Sequence, residues 1–202
     1  SVPLMEGSDW VRNVTTKETY VWPAEGKGSA QPRYKVAVVD CGIKWNILRI
    51  FARLGCECHV FPSDTPFQKI LAVKPDGLFL SNGPGDPAAV TSVIKTAKEA
   101  IGRLPIFGIC LGNQILGLAM GGRTYKLKFG HHGANHPVMD CTRDRIGITS
   151  QNHGFCVDMQ SLDRDDVEVV YMNLNDQTVE GLRHKRYPIY AVQHHPEAAP
   201  GP

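Results

Sequence analysis

The chain has 202 residues, of which 42% are hydrophobic and 21% are charged, and its formal net charge at pH 7 is +2. This length and composition are typical of one globular domain with a sizeable core. The chain has no stripe of lysine or arginine residues that could neutralise nucleic-acid phosphates, and none of its apolar runs reaches the ~20 residues of a membrane helix. We therefore expect neither a nucleic-acid partner nor a membrane partner.

Cysteine usage bears on where the protein works. Six cysteines are scattered along the chain, which differs from a disulfide scaffold and indicates a reducing compartment. The first residues also lack the basic and apolar pattern of a signal peptide. We expect a cytoplasmic protein.

Residues 1–32 are polar and interrupted by glycine and proline, which predicts a linker or lead-in segment with one short helix near residues 8–14. From residue 33 onward, apolar runs alternate with amphipathic segments. The predicted strands cover 34–40, 57–61, 77–81 and 106–109, and the predicted helices cover 44–54, 67–73, 90–104 and 111–120. This alternation predicts an α/β fold with a doubly wound, mostly parallel sheet.

After Gly121-Gly122 the pattern changes to short strands separated by turns. They are predicted at 123–129, 146–150, 156–158, 167–172, 178–183 and 189–193. We expect them to form a small antiparallel extension of the same sheet, so that residues 33–202 make one domain.

The stretch Gly108-Ile-Cys-Leu-Gly112 lies where a predicted strand meets a predicted helix. Glycines two residues to either side of Cys110 make it analogous to the G-x-S-x-G nucleophile elbow, a tight turn that exposes its central residue. A helix start favours thiolate over thiol, and the backbone N–H of Leu111 would face an oxyanion. The alternative is a buried structural cysteine, but the flanking glycines favour a nucleophile.

A cysteine nucleophile needs a base, and the base needs an orienting partner. The segment Gln193-His-His-Pro-Glu197 follows a predicted strand, and Pro196 stiffens it so that both flanking side chains are presented together. We predict that His195 is the general base and then the general acid, and that Glu197 holds its imidazole ring. A surface-loop histidine is the alternative for His195.

Two groups of residues raise the question of a metal site. Cys56 and Cys58 share one face of a predicted strand, but no second Cys/His pair at zinc spacing accompanies them. His131, His132 and His136 lie among glycine and proline, with no carboxylate or cysteine close in sequence. We predict structural packing for the two cysteines, a structural or loop role for the three histidines, and no metal.

Three motifs together resemble the triad-type, class I glutamine amidotransferases: Asn82-Gly-Pro-Gly-Asp-Pro87, Gly108-Ile-Cys-Leu-Gly-Asn-Gln114 and His195-Pro-Glu197. Stretches 126–138, 150–155 and 196–202 are similar to the family of small, glutamine-hydrolysing chains of carbamoyl-phosphate synthetases. The resemblance runs from about residue 14 to residue 202.

The resemblance implies a flavodoxin-like amidotransferase fold and hydrolysis of L-glutamine to glutamate and ammonia through a γ-glutamyl thioester on Cys110. Ammonia would pass to a large synthetase chain that makes carbamoyl phosphate for arginine and pyrimidine synthesis. No cofactor is expected in this chain, because the large chain uses the ATP and Mg²⁺. The implied glutamine-binding residues are Gly83, Gly85, Leu111, Gln114, Asn152, Gly154 and Phe155.

The sequence departs from the family in two ways. Asn113 stands where the family often has histidine, and because that position is not the predicted base, we expect activity to survive. The family's small chain also has an N-terminal domain and a closing helix with no counterpart in these residues, which implies a part of a longer protein. The alternative functions are an amidotransferase of anthranilate or guanylate synthesis, and a non-catalytic regulatory module on the same fold.

Overall fold

The computed structural model describes residues 5–25 and 32–199, and within them one ten-stranded sheet carries the fold. The strands are β1 (Tyr20–Trp22), β2 (Tyr34–Asp40), β3 (Cys56–Pro62), β4 (Gly77–Leu80), β5 (Ile106–Ile109), β6 (Thr124–Asp140), β7 (Arg145–Val157), β8 (Val167–Asn173), β9 (Val179–His184) and β10 (Ile189–Val192). The helices are α1 (Val11–Val14), α2 (Trp45–Arg53), α3 (Phe67–Ala72), α4 (Thr91–Ala100) and α5 (Leu111–Ala119).

The strand order is β1-β3-β2-β4-β5-β10-β9-β8-β6-β7. Strands β3, β2, β4, β5 and β10 pair in parallel, and with their helices they form what we name the parallel half. Strands β9, β8, β6 and β7 pair antiparallel and form the antiparallel half. The predicted α/β class and the antiparallel extension are confirmed, although the extension is longer than the sequence indicated.

The hydrophobic core lies on both faces of the parallel half. Along β4, Leu78 and Leu80 pack into one cluster with Ile115, whereas Phe79 packs into the cluster on the opposite face with Leu48. Successive side chains of a strand point to opposite faces, so a strand covered by helices on both sides is apolar throughout. This is why the strands of the parallel half are continuous apolar runs in the sequence.

The segment before β2 packs onto this framework. Strand β1 pairs antiparallel with β3, and Val11 of α1 is fully buried in the core. The sequence analysis did not predict β1, because three residues are too few to show a period. The predicted helix at 8–14 is present but shorter, as Val11–Val14.

The hairpin of β6 and β7 differs from the prediction. Residues 130–138 were expected to be loop, but they continue β6 through two register shifts, between Lys126 and His131 and between Gly133 and His136. Gly130 and Gly133 have φ angles of 73° and 131°, so the left-handed backbone of the bulges falls on glycine. Glycine and proline therefore mark irregularities inside one long strand here, not its end.

Helix α4 is also shorter than predicted, because it ends at Ala100 and the chain turns at Gly102, where φ is 77°. None of the helices in residues 5–25 and 32–199 is long and apolar enough to cross a membrane.

Candidate active site

Cys110 is the residue between β5 and α5, and its backbone is strained. Its φ and ψ angles are 55° and −103°, a conformation that L-residues rarely adopt. The glycines on either side are needed for it, because a Cβ atom on Gly108 would lie 2.7 Å from the carbonyl oxygen of Gly112, and one on Gly112 would lie 2.2 Å from that of Leu80. The turn therefore holds the cysteine where the sequence predicted a nucleophile.

The loop after β4 meets this turn from the neighbouring strand. Parallel strands end at the same edge of a sheet, so the loops after β4 and β5 lie side by side. A Cβ atom on Gly83 would lie 2.1 Å from the carbonyl oxygen of Cys41, and one on Gly85 would lie 2.8 Å from that of Ser8. Within the described residues, the N–H groups of Gly83 and Gly85 bond to no protein acceptor, so they remain available to a ligand.

His195 and Glu197 follow β10, the other parallel neighbour of β5. The Nδ1 atom of His195 lies 2.8 Å from Oε1 of Glu197, and the Cys110 side chain lies close enough to the ring to raise its pKa. Both residues are buried, and the backbone N–H of His195 donates to the carbonyl oxygen of Ser150 at 2.9 Å. The structure thus brings together the three residues predicted to be catalytic.

The charges of this group support one another. Burial lowers the pKa of His195, but interaction with the Cys110 side chain and the hydrogen bond to Glu197 outweigh burial and raise that pKa to about 9. Burial raises the pKa of Glu197, but the hydrogen bond and positive charge of His195 and the bond from Lys44 hold it below its usual value. At neutral pH the arrangement therefore favours a protonated imidazole beside an ionised carboxylate.

Lys44 and Asn46 support Glu197, and the sequence analysis missed both. The Nζ atom of Lys44 lies 3.0 Å from Oε1 of Glu197, and Nδ2 of Asn46 donates to the Glu197 carbonyl oxygen at 2.6 Å. Lys44 lies in the loop after β2, immediately before α2, and Asn46 lies in the first turn of α2. A polar pair at the carboxyl end of a parallel strand was the signal that could have indicated them.

A cavity of about 320 Å³ joins these loops. Six of the seven predicted glutamine-binding residues line it, together with Cys110 and His195. They are Gly83, Gly85, Gln114, Asn152, Gly154 and Phe155. The seventh, Leu111, has a buried side chain that packs into the core, so only its backbone could serve a ligand.

Strand β7 supplies one wall of this cavity and reaches it from the antiparallel half. The carbonyl oxygen of Asn152 faces Sγ of Cys110 at 3.9 Å, and Nε2 of Gln114 donates to the carbonyl oxygen of Phe155 at 2.7 Å. His132 and His153 also line the cavity, although the sequence analysis assigned neither to the site. Their positions depend on strand register, which the sequence pattern did not reveal.

The histidine-rich part of β6 forms a buried hydrogen-bonded cluster. One ligand atom each of His131, His153 and Glu180 lies within 4.8 Å of the others, which is the spacing that raises the question of a metal. Hydrogen bonds already engage all three side chains: His131 contacts Asp176, whereas His153 and Glu180 both contact Gln151. These donors and acceptors are used within the protein, and the absence of a metal stays a prediction.

Two other predictions can be placed in the structure. Burial raises the pKa of Cys58 to about 12, so its thiol keeps its proton, as expected of a packed side chain. Asn113 is fully buried outside the cavity, and its Nδ2 donates to Oε1 of Gln193 at 3.1 Å. Asn113, where this chain departs from the family, therefore lies behind the site and does not reach the cavity.

The fold and this site define a class of protein. The class-I glutamine amidotransferase family matches residues 37–202, and the chain belongs to that family. Among its curated relatives, a carbamoyl phosphate synthase small chain from Syntrophotalea carbinolica is 50% identical over 99% of this chain and 55% of its own length. Those from Solidesulfovibrio magneticus and Methanocaldococcus jannaschii are 54% and 53% identical, over 91% and 96% of this chain and 47% and 53% of their own lengths. The chain thus spans about half the length of these relatives.

Solved structures show the same fold. A crystal structure of a candidate GMP synthase subunit from Thermoplasma acidophilum superposes with a TM-score of 0.69 at 27% identity, covering 82% of this chain and 85% of that one. A glutamine amidotransferase from Thermotoga maritima gives a TM-score of 0.64 at 16% identity, covering 81% and 76%. At the latter identity the similarity concerns the fold alone.

Proposed function

We propose that this chain is the glutamine-hydrolysing part of a carbamoyl phosphate synthase small chain. It converts L-glutamine to glutamate and ammonia, and the ammonia is used by a large synthetase chain. The observation that carries the proposal is the strained Cys110 turn, which lines one cavity together with a hydrogen-bonded His195–Glu197 pair. Membership of the amidotransferase family and the names of the relatives support it.

The first half of the proposed reaction forms a thioester. The Cys110 thiol gives its proton to His195, and the sulfur attacks the side-chain carbonyl carbon of glutamine while the carbonyl electron pair moves onto oxygen. The backbone N–H groups of Leu111, Gly83 and Gly85 stabilise that oxyanion. They lie at the same edge of the sheet and have no other acceptor among the described residues. The remaining cavity residues, Gln114, Asn152, Gly154 and Phe155, bind glutamine and orient its amide.

His195 moves the proton in both halves. It is protonated near neutral pH, with a pKa of about 9, and so can give a proton to the departing nitrogen as the C–N bond breaks and ammonia leaves. The neutral ring then takes a proton from water, which attacks the thioester and releases glutamate. Glu197 keeps Nδ1–H oriented throughout, which leaves Nε2 for the reacting groups.

The kind of partner is inferred from the chemistry of the product, ammonia. Ammonia released into water is diluted and protonated, so a glutaminase of this kind delivers it directly to a second active site. We infer that this is a large synthetase chain, which uses ATP and Mg²⁺ and serves arginine and pyrimidine synthesis, with the proteins located in the cytoplasm. The names of the relatives support this partner.

Ammonia release from L-glutamine tests the proposal, measured with and without a bacterial carbamoyl phosphate synthase large chain. We expect release that depends on Cys110 and rises when the large chain is present. Equal release from Cys110→Ser would refute the thioester mechanism. Glutamine binding without any release would favour the regulatory-module alternative, and stimulation only by a guanylate or anthranilate synthase partner would favour another pathway.

A further inference from the structure

Glu180 on β9 is a fully buried carboxylate with no part in the proposed reaction. Its Oε1 atom accepts a hydrogen bond from Nδ2 of Asn173 at 2.9 Å, and its Oε2 atom accepts one from Nε2 of Gln151 at 2.8 Å. Its backbone carbonyl oxygen accepts the N–H of Gln193 at 2.7 Å. One residue of β9 thus bonds to β7, to β8 and to the segment that leads into His195.

A nearby histidine keeps this carboxylate ionised. The ring of His131 lies between two acids, with Nε2 2.8 Å from Asp176 and Nδ1 3.6 Å from Glu180. Burial raises the pKa of Glu180, but hydrogen bonds from His131 and the two amides outweigh it and hold the pKa below its usual value. A buried ionised carboxylate accepts hydrogen bonds only, so every group that faces it must donate.

This requirement fixes the orientation of the Gln151 side chain. Its Nε2 atom donates both to Glu180 and to Oγ1 of Thr149, the latter at 3.0 Å. A flipped amide would place its oxygen against the carboxylate, which is repulsive. The Oε1 atom of Gln151 must therefore point away from Glu180, and it faces Nε2 of His153 at 3.0 Å.

The chain of bonds ends in the cavity wall. An amide oxygen only accepts, so the contact requires a hydrogen on Nε2 of His153. The other ring nitrogen, Nδ1, faces the carbonyl oxygen of Phe155 at 2.8 Å; this oxygen can accept two hydrogen bonds, but it already has a donor in Nε2 of Gln114 at 2.7 Å and so does not depend on His153. The oxygen of Gln151 has no other donor among the described residues, so it is the acceptor that depends on His153.

We propose that Glu180 is a positioning residue for the glutamine pocket: through Gln151 it keeps Nε2 of His153 protonated and holds that ring against the cavity wall. His153 stands between Asn152 and Gly154, which line the same cavity. The assignment of this pocket to glutamine rests on the proposed function. The effect of Glu180 on the His153 ring does not.

Two variants test the proposal, Glu180→Gln and Gln151→Met. Glu180→Gln removes the charge that orients the Gln151 amide, and Gln151→Met removes the oxygen that accepts from Nε2 of His153. In each variant we therefore expect the proton on Nε2 of His153 to move partly or wholly to Nδ1. Nitrogen NMR of ¹⁵N-histidine-labelled protein reads this directly, with the His153 signals assigned from a His153→Gln variant. We also expect KM for glutamine to rise about tenfold while kcat for ammonia release changes less than about threefold.

Glu168→Gln is the matched control. It makes the same substitution on the neighbouring strand, where Glu168 pairs with Arg183 on the surface. It should change neither the His153 signals nor KM. Unchanged His153 signals in either test variant would overturn the proposal, because it requires both the charge on Glu180 and the acceptor on Gln151; so would a fall in kcat with KM unchanged. If the unaltered chain releases no ammonia, the proposed function fails, but the NMR result still decides the role of Glu180; Gln151→Met retains the buried charge should Glu180→Gln not fold.

Discussion

The two halves of the sheet build the cavity by different means. The parallel half contributes three loops at the carboxyl ends of β4, β5 and β10, and glycines around the loops after β4 and β5 let main chains approach closely. The antiparallel half contributes a wall of β7 held by buried polar side chains around Glu180. Backbone geometry tolerates almost no added volume, whereas a hydrogen-bonded network can lose one partner and persist. The two halves should therefore fail differently when altered.

The largest expected effect on activity comes from breaking the support of the catalytic ring in the parallel half. In Glu197→Gln the neutral amide no longer stabilises the protonated His195 ring, and its buried position offers no solvent in exchange. We expect kcat for ammonia release to fall by about 10²- to 10⁴-fold. Steady-state ammonia assays check this, and a fall of less than threefold would show that Glu197 does not orient the base.

Next is a tight backbone contact of the parallel half, between α5 and β4. Gly112→Ala would place a Cβ atom 2.2 Å from the Leu80 carbonyl oxygen, so β4 and α5 must separate. We expect the free energy of unfolding to fall by about 3 kcal/mol or more, measured by urea denaturation. Gly147→Ala on β7 is the matched control, since nothing lies within 4 Å of its added Cβ, and it should shift stability by less than about 0.5 kcal/mol. Similar losses in both variants would contradict the contrast between the halves.

The antiparallel half should respond more mildly to the loss of one partner. Asn173→Ala removes one of the two amide donors to the Glu180 carboxylate, and we expect a loss of about 1–3 kcal/mol of unfolding free energy. The same denaturation experiment measures it. A neutral result would mean that the Glu180 carboxylate does not need that donor.

The charges of this half also predict a pH dependence of stability. The pKa of His131 is raised chiefly by its hydrogen bond to Glu180, so its contribution is full below its unfolded value and is lost as pH rises through the raised one. The pKa of Glu180 is lowered, so its contribution is lost as pH falls through that lowered value. The contribution of this pair to the unfolding free energy should therefore be largest in mildly acidic solution, between those limits, measured by urea denaturation across pH as the difference between the unaltered chain and His131→Gln. In His131→Gln the decline on the alkaline side should be smaller; an unchanged profile would exclude the ion pair.

The smallest effect concerns Lys44, which is half-exposed. Lys44→Met removes one of the two cations beside Glu197, but water screens such a partly exposed bond. We expect kcat to fall only about 2- to 10-fold, measured in the same ammonia assay. A loss as large as that of Glu197→Gln would make Lys44 part of the catalytic group.

The contrast between the parallel and antiparallel halves also explains which features the sequence could predict. Cys110, His195 and Glu197 could be picked out because glycines and a proline mark the turns that hold them, and such residues have local conformational meaning. The strands of the parallel half could be recognised in the sequence as buried apolar runs. Lys44 was not, because its role depends on a loop meeting Glu197 from 153 positions away in the chain.

The antiparallel half was harder to predict. Glycines that bulge β6 look the same in sequence as glycines that end a strand, so residues 130–138 were predicted as loop. Which of eight histidines lines the cavity depends on the register between β6 and β7, and a slip of one residue would reverse every side chain. Glu180 gave no signal, because a buried acid in a strand is recognisable only once its donors are known.

The place of β10 in the sheet has a consequence for synthesis of the protein. This strand follows all the other described strands in the chain, yet it lies between β5 and β9 and joins the two halves. On the ribosome, Cys110 emerges long before the imidazole ring that would activate it. Under the proposed function, a nascent chain therefore cannot hydrolyse glutamine until β10 has inserted between β5 and β9.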